Sequence, residues 1–394
     1  MRSLVQLLCY ILLLTFCLVC FYEFILRRSS FHVLSENKIL NRADPRIDDF
    51  VSPDPRIDAF VSQSHQIGLQ CGTENRAKDR IVFIKTHKTA STTLASIFER
   101  YGYSRNLTFG VGVGTHVISS YKLFKRHMIH QSNSRHQYHF LTNHVRYNRK
   151  EMEAVFPNAT YVTILRNPVS QFESAFGYFN FANSAHITNS EDPIGTFFTD
   201  PDKFYNTTGF FFKNQAKNGQ IFDLGLDTSL QNDRSAFNDV FKSLKQELDF
   251  VLISEYFNHS LVLMKQKLCW QTDDILYISK GIRNSHIRYQ LKLETKERIK
   301  AWNALDMQLY NYYNETLWRK ISEYGSMFWD DLKEFENRLE EIQSECIDTS
   351  KRDVSDYRED NIVVKDDAGE FCKALALNDV EYSRLIRKRQ GLDN

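Results

Sequence analysis

The segment Lys85-Thr-His-Lys-Thr-Ala-Ser-Thr-Thr93 carries two lysines, one histidine and five hydroxyl side chains, with Ala90 as its one apolar residue. Such a set suits an anion, because lysines neutralise it, hydroxyls donate to it and amides at a helix N-terminus close round it. The flanks supply that setting. Ile81 to Ile84 are β-branched or aromatic and read as a short buried strand, while Leu94, Ile97 and Phe98 recur at helical spacing. Lys88-Thr89 matches the last two positions of the phosphate loop G-x-x-x-x-G-K-[ST], but neither glycine is present, so a Walker-type nucleoside triphosphatase or a kinase is a poor fit. A Ser/Thr-rich helix cap is the plain alternative, although a cap has no need of two lysines and a histidine in one turn.

A second anion site follows the strand pattern Thr160 to Leu165. There Arg166-Asn-Pro-Val-Ser-Gln-Phe-Glu-Ser174 puts a guanidinium at the strand exit, Pro168 in the first turn of a helix and Ser174 eight positions after the arginine. Arg offers a planar fork to phosphate oxygens and a serine hydroxyl can donate beside it. Together the two loops point to a ligand with two separate phosphate groups; a structural arginine capping the sheet is the alternative. A third strand pattern, Tyr138 to Thr142, ends just before His144, whose imidazole can take a proton near neutral pH. His139 reads as packing. His127, His130 and His136 have no zinc-like spacing, and no carboxylate cluster asks for a metal.

These segments need a frame. Strand patterns at Ile81 to Lys85, Tyr138 to Thr142, Thr160 to Leu165, Phe250 to Ile253 and Ile275 to Ile278 alternate with helical patterns at Thr92 to Tyr101, Val169 to Phe179, Phe237 to Glu247 and Ser260 to Leu268. The alternation predicts an α/β fold of three layers, a parallel sheet flanked by helices, with ligands beyond the carboxyl ends of the strands. Aromatic residues crowd the segment after the second loop: Phe176, Tyr178, Phe179, Phe181, Phe197, Phe198 and Phe210 to Phe212. Core packing is their ordinary use, and an acceptor sugar is the functional one.

The chain has 394 residues, a formal charge of +1 and 42% hydrophobic residues, enough for one main domain with appendages. So balanced a charge argues against nucleic acid as a main partner. Leu4 to Tyr22 runs without charge and continues through Phe24, Ile25 and Leu26 to Arg27-Arg28, so residues 4–26 read as a retained membrane helix after a cytoplasmic tail of residues 1–3. Five Asn-x-Ser/Thr acceptors at Asn106, Asn158, Asn206, Asn258 and Asn314 assign the remainder to a lumenal side. Residues 27–70 form a stem in which Asp44-Pro-Arg-Ile-Asp-Asp-Phe-Val-Ser52 recurs as Asp54-Pro-Arg-Ile-Asp-Ala-Phe-Val-Ser62. The folded domain is drawn at 71–350 and a C-terminal extension at 351–394, free to pack on the body or to remain mobile. Four cysteines beyond the membrane run allow three pairings; Cys71 with Cys269 and Cys346 with Cys372 is the expected one, free thiols the alternative.

Lys85-Thr-His-Lys-Thr-Ala-Ser-Thr-Thr-Leu94 resembles the 5′-phosphosulfate loop of the Golgi sulfotransferases, and Arg166 with Ser174 resembles their 3′-phosphate motif. Phe83-Ile-Lys-Thr-His-Lys-Thr-Ala-Ser91, Ser254-Glu-Tyr-Phe257, Ser260-Leu-Val-Leu-Met-Lys265, Leu268-Cys-Trp270 and Ala301-Trp-Asn-Ala-Leu-Asp306 narrow the resemblance to the galactose 3-O-sulfotransferases, and within them to those acting on galactosylceramide. Arg166-Asn-Pro stands where relatives often have Arg-Asp-Pro. The resemblance implies a P-loop-like sulfotransferase fold and the co-substrate 3′-phosphoadenosine 5′-phosphosulfate, with no metal. It implies Lys88 on the bridging oxygen, Thr89, Ser91, Thr92 and the loop amides from Thr86 to Ala90 on the 5′-phosphate, and Lys85 and His87 near the transferring group. Arg166 and Ser174 take the 3′-phosphate, and His144 is the first choice of base, His87 the second. The acceptor is the 3-hydroxyl of a terminal galactose, on a glycolipid or else on a glycoprotein glycan. The implied location is the Golgi membrane, single-pass, catalytic domain lumenal; a homodimer is allowed. A membrane-anchored carbohydrate-binding protein without catalysis is the reading from another class.

Overall fold

The computed structural model describes residues 76–113, 117–130, 138–207, 212–279, 288–348, 353–354, 359–361 and 363–392. Its centre is a four-stranded, wholly parallel sheet in the order β2-β1-β3-β4, made of β1 (Ile81–Ile84), β2 (Phe140–Leu141), β3 (Thr160–Leu165) and β4 (Phe250–Ile253). Every residue of the four strands is buried. That is why they read as continuous apolar runs rather than alternating ones: helices cover both faces. Ile84 pairs with Thr163 and Leu165 with Ile253, so the strands end side by side.

The helices that position the site are α1 (Ser91–Ser104), α2 (Pro168–Tyr178), α3 (Gly219–Asp223), α4 (Arg234–Glu247), α5 (Phe257–Leu268), α6 (Ala304–Tyr324), α7 (Met327–Cys346), α8 (Glu370–Ala376) and α9 (Asp379–Arg389). Helices α1, α2, α4 and α5 lie where the apolar spacing predicts them. One strand expectation fails. Thr272–Ile275 is a helical turn, and Leu276 to Ile278 continue without strand pairing. A capping box between Gln271 and Asp274 fixes the turn, and a short buried apolar run carries no periodicity that separates it from a strand.

Eleven of the fourteen residues of α1 are buried, because the sheet covers one side and the C-terminal helices the other. Both α8 and α9 pack on α1. The expected Cys346–Cys372 disulfide is present and joins the end of α7 to α8; Cys71, of the other expected pair, lies outside the described residues. The basic end of α9 is used within the fold. Arg389 donates to the carbonyls of Tyr103 and Leu107 at 2.6 and 2.8 Å, and Arg387 to that of Gly112 at 2.6 Å. Residues 363–392 are thus part of the packed body. The expected membrane segment 4–26 and the stem 27–70 lie outside the described residues, and no described helix is long and apolar enough to cross a membrane.

Candidate active site at the strand ends

The β1–α1 loop turns through two left-handed residues, Lys88 at φ 61° and Ala90 at φ 64°. The turn that a phosphate loop makes with glycine is made here by side-chain-bearing residues, held by the loop's own hydroxyls. Thr86 donates to the Ile164 carbonyl at 2.5 Å and meets the Thr89 hydroxyl at 2.8 Å, and Ser91 donates to the Thr86 carbonyl at 2.6 Å. Thr86 and Thr89 are fully buried, whereas Ala90 is exposed and Lys88 and Thr92 are half-buried. Three of the predicted hydroxyls therefore shape the loop. The open side presents the Lys88 ammonium, Thr92 and the first-turn amides of α1, a helix with no acidic residue in its first turn. The Lys88 Nζ sits 3.8 Å from the centre of the Tyr178 ring, at the end of α2.

Arg166 stands at the exit of β3 and reaches the first loop. Its Nη1 donates to the Lys88 carbonyl at 3.2 Å. The Gln220 side chain grips the same residue from behind, accepting from its amide at 2.8 Å and donating to its carbonyl at 2.9 Å. Ser174 lies on α2, 9% exposed.

The two histidines meet. His87 and His144 stack with ring centres 4.3 Å apart and planes 16° from parallel. The Nδ1 of His144 is 3.1 Å from the Lys85 carbonyl, which only accepts, so that nitrogen carries the proton. The Nδ1 of His87 lies 2.8 Å from Oδ2 of the buried Asp223, which also accepts from the His87 amide at 2.8 Å. Lys85 turns the other way, its ammonium buried against Asp379 at the start of α9.

A polar pair of loops gripping each other, backed by a stacked histidine pair at the ends of parallel strands, suits group transfer from an anionic nucleotide. Comparison with known sequences gives the family. The family model for galactose-3-O-sulfotransferase matches residues 6–384. The chain belongs to the galactose-3-O-sulfotransferase family. It is similar to galactosylceramide sulfotransferase of Bos taurus, 34% identical over 62% of this chain and 58% of that protein. The corresponding protein of Mus musculus is 33% identical over 68% of this chain and 64% of its own length. Galactose-3-O-sulfotransferase 2 of Mus musculus is 33% identical over 68% and 69%. The chain therefore spans somewhat under two thirds of the galactosylceramide sulfotransferases it matches.

In this member of the galactose-3-O-sulfotransferase family, the asparagine of Arg166-Asn-Pro is the N-cap of α2. Its side chain accepts from the Val169 amide at 2.9 Å, as an aspartate would, so the departure from Arg-Asp-Pro leaves the helix start intact. The stretch Ala301-Trp-Asn-Ala-Leu-Asp306 acquires a task that its sequence did not reveal. Asp306 accepts from the Gln220 and Ile221 amides at 3.0 and 2.8 Å, and Asn218 accepts from the Leu305 amide at 3.1 Å, so the starts of α3 and α6 cap each other. Burial pushes the Asp306 carboxyl up to about 7, against those two amide bonds. Asp223, Gln220, Asp306 and Asp379 had no local signal in the sequence; membership of a family-like stretch pointed only to Asp306.

Among the aromatic candidates, Phe176, Phe181, Phe197 and Phe198 are core, Tyr178 is exposed, and Phe179 and Phe212 are half-buried; Phe210 and Phe211 lie outside the described residues. His139 packs with its Nδ1 at 2.8 Å from the Thr108 hydroxyl, and burial lowers its pKa. The acceptor asparagines differ in setting. Asn106, Asn158 and Asn206 are exposed and Asn314 is half-buried. Asn258 is half-buried too, its amide donating to Glu336 at 3.0 Å and accepting from Tyr277 at 2.7 Å.

Proposed function

We propose that this chain transfers a sulfo group from 3′-phosphoadenosine 5′-phosphosulfate to the 3-hydroxyl of a terminal galactose, on galactosylceramide or a related glycolipid. The observation that carries the reading is the Arg166–Lys88 contact, which makes one site of two loops that each suit a phosphate. The residues fit this donor. The first turn of α1, entered from the exposed Ala90 and carrying the half-buried Thr92, takes the 5′-phosphosulfate with Lys88, and Arg166 with Ser174 takes the 3′-phosphate that distinguishes it from ATP. Sulfo transfer needs alignment and charge neutralisation more than covalent help. The galactose oxygen attacks sulfur, the bond from sulfur to the bridging oxygen breaks, and its electron pair stays on the 5′-phosphate beside Lys88. The hydroxyl proton passes to the stacked imidazole pair.

The same reading extends to the regions outside the described residues. Residues 4–26 anchor the chain in the Golgi membrane and 27–70 hold the catalytic body on the lumenal side. Support comes from the uncharged apolar run and the acceptor asparagines that follow it. The test is incubation of the full chain in detergent with labelled donor and two acceptors, galactosylceramide and a galactose-terminated N-glycan. Label on the glycolipid supports the proposal, and label on the glycan alone moves the acceptor to glycoproteins. Binding of the donor with neither acceptor labelled overturns transfer to galactose.

A further inference from the structure

One five-residue helix holds the machinery from behind at two points. On α3, Gln220 grips the main chain of Arg166 and Asp223, three residues on, grips His87. Helix α3 is in turn fixed by the reciprocal capping with α6, through Asp306, Asn218 and Asn303, whose Oδ1 accepts from the Asn218 amide at 2.7 Å. Asp223 is 2% exposed and both its oxygens are engaged: Oδ2 with His87 and Oδ1 with the Gln215 amide at 2.9 Å. A carboxylate only accepts, so His87 must carry its proton on Nδ1 and present the lone pair of Nε2.

We propose that Asp223 is a positioning residue for sulfo transfer, and that it makes His87 the base. It turns the Nε2 of His87 toward the acceptor and supplies the counter-charge for the imidazolium formed on proton uptake. His144 is held in the same tautomer by the carbonyl of Lys85. The proton balance is simple. The galactose hydroxyl gives its proton to His87 Nε2, its oxygen bonds sulfur, and the electron pair of the broken bond leaves on the 5′-phosphate. A buried anion at hydrogen-bond distance stabilises the charged imidazole where water does not. This assignment rests on the sulfotransferase reading above.

Asp223→Asn tests it in the full chain. The amide oxygen can take both His87 contacts, and Gln215, whose Oε1 is buried without a partner, can turn to accept from the new amide nitrogen. The variant therefore retains the packing and loses the charge. The expected result is a fall in kcat of about a hundredfold with the donor KM within about twofold. His87→Ala falls at least as far, and His144→Ala falls less. Nitrogen NMR of the His87 ring shows the proton on Nδ1 in the wild type. An unchanged kcat in Asp223→Asn, a donor affinity that falls in step with kcat, or a wild-type His87 protonated on Nε2 overturns the inference. A wild-type chain that transfers no sulfo group fails the underlying reading instead, a result distinct from any of these.

Discussion

The guanidinium of Arg166 donates to the main-chain carbonyl of Lys88 across 3.2 Å, although the two residues are 78 positions apart. The sheet makes this contact inevitable. With Ile84 paired to Thr163 in parallel register, the residues that leave β1 and β3 emerge side by side, and their loops lean together. Two phosphate-suited turns become one site because a buried strand pairing, in which Ile81 meets Thr160 and Ile84 meets Thr163, brings their ends together.

The left-handed turn at Ala90 gives the first prediction. A side chain at φ 64° is disfavoured by about 1–2 kcal/mol relative to glycine. Ala90 is exposed, so removing its methyl group sacrifices no packing. Ala90→Gly should stabilise the chain by about 1 kcal/mol, read as a higher urea midpoint, and keep transfer within about twofold. A lower midpoint would mean that the turn is not strained.

Lys85 and Asp379 give the second. Their side chains are 2% and 13% exposed, so each charge depends on the other. Asp379→Ala leaves a buried ammonium without compensation and should destabilise the chain by about 3–5 kcal/mol. The pair Lys85→Met with Asp379→Leu should recover most of that loss. Because the Lys85 carbonyl holds His144, the single variant should also lower kcat. Equal stability of the single and double variants would contradict the account.

Apolar runs announced the frame. Ile81–Ile84, Thr160–Leu165 and Phe250–Ile253 are buried on both faces and bounded by polar turns, so the strands could be read directly. The placement of the two loops was legible too, since Lys88 and Arg166 follow the strand patterns and stand at strand exits. The supporting residues were not. Asp223 acts on His87 from 136 positions away and Asp379 on Lys85 from 294, separations at which no periodicity or spacing relates two residues. The hydroxyls have a structural use that residue type did not reveal. Thr86, Thr89 and Ser91 read as ligand donors by type, yet the loop uses them to make a turn without glycine.

Asp306 gives a pH prediction. Burial first, and then the nearby Asp223 charge, push its carboxyl from the ordinary range near 4 up to about 7. Between those values the folded chain keeps a proton that the unfolded chain releases. Stability contributed by this group is therefore present below pH about 4 and lost as pH rises to about 7. Asp306→Asn should lack this slope, so the variant should gain relative to the wild type across that window and then level off. Parallel stability profiles would contradict it.

Calorimetric titration with adenosine 3′,5′-bisphosphate and with adenosine 5′-monophosphate tests the central claim most directly. If Arg166 and Ser174 take the 3′-phosphate, the bisphosphate binds at least about tenfold tighter, as a charge-assisted hydrogen bond worth about 1.5–3 kcal/mol requires, and Arg166→Ala abolishes the preference. Equal affinity of the wild-type chain for the two nucleotides would contradict the two-loop site.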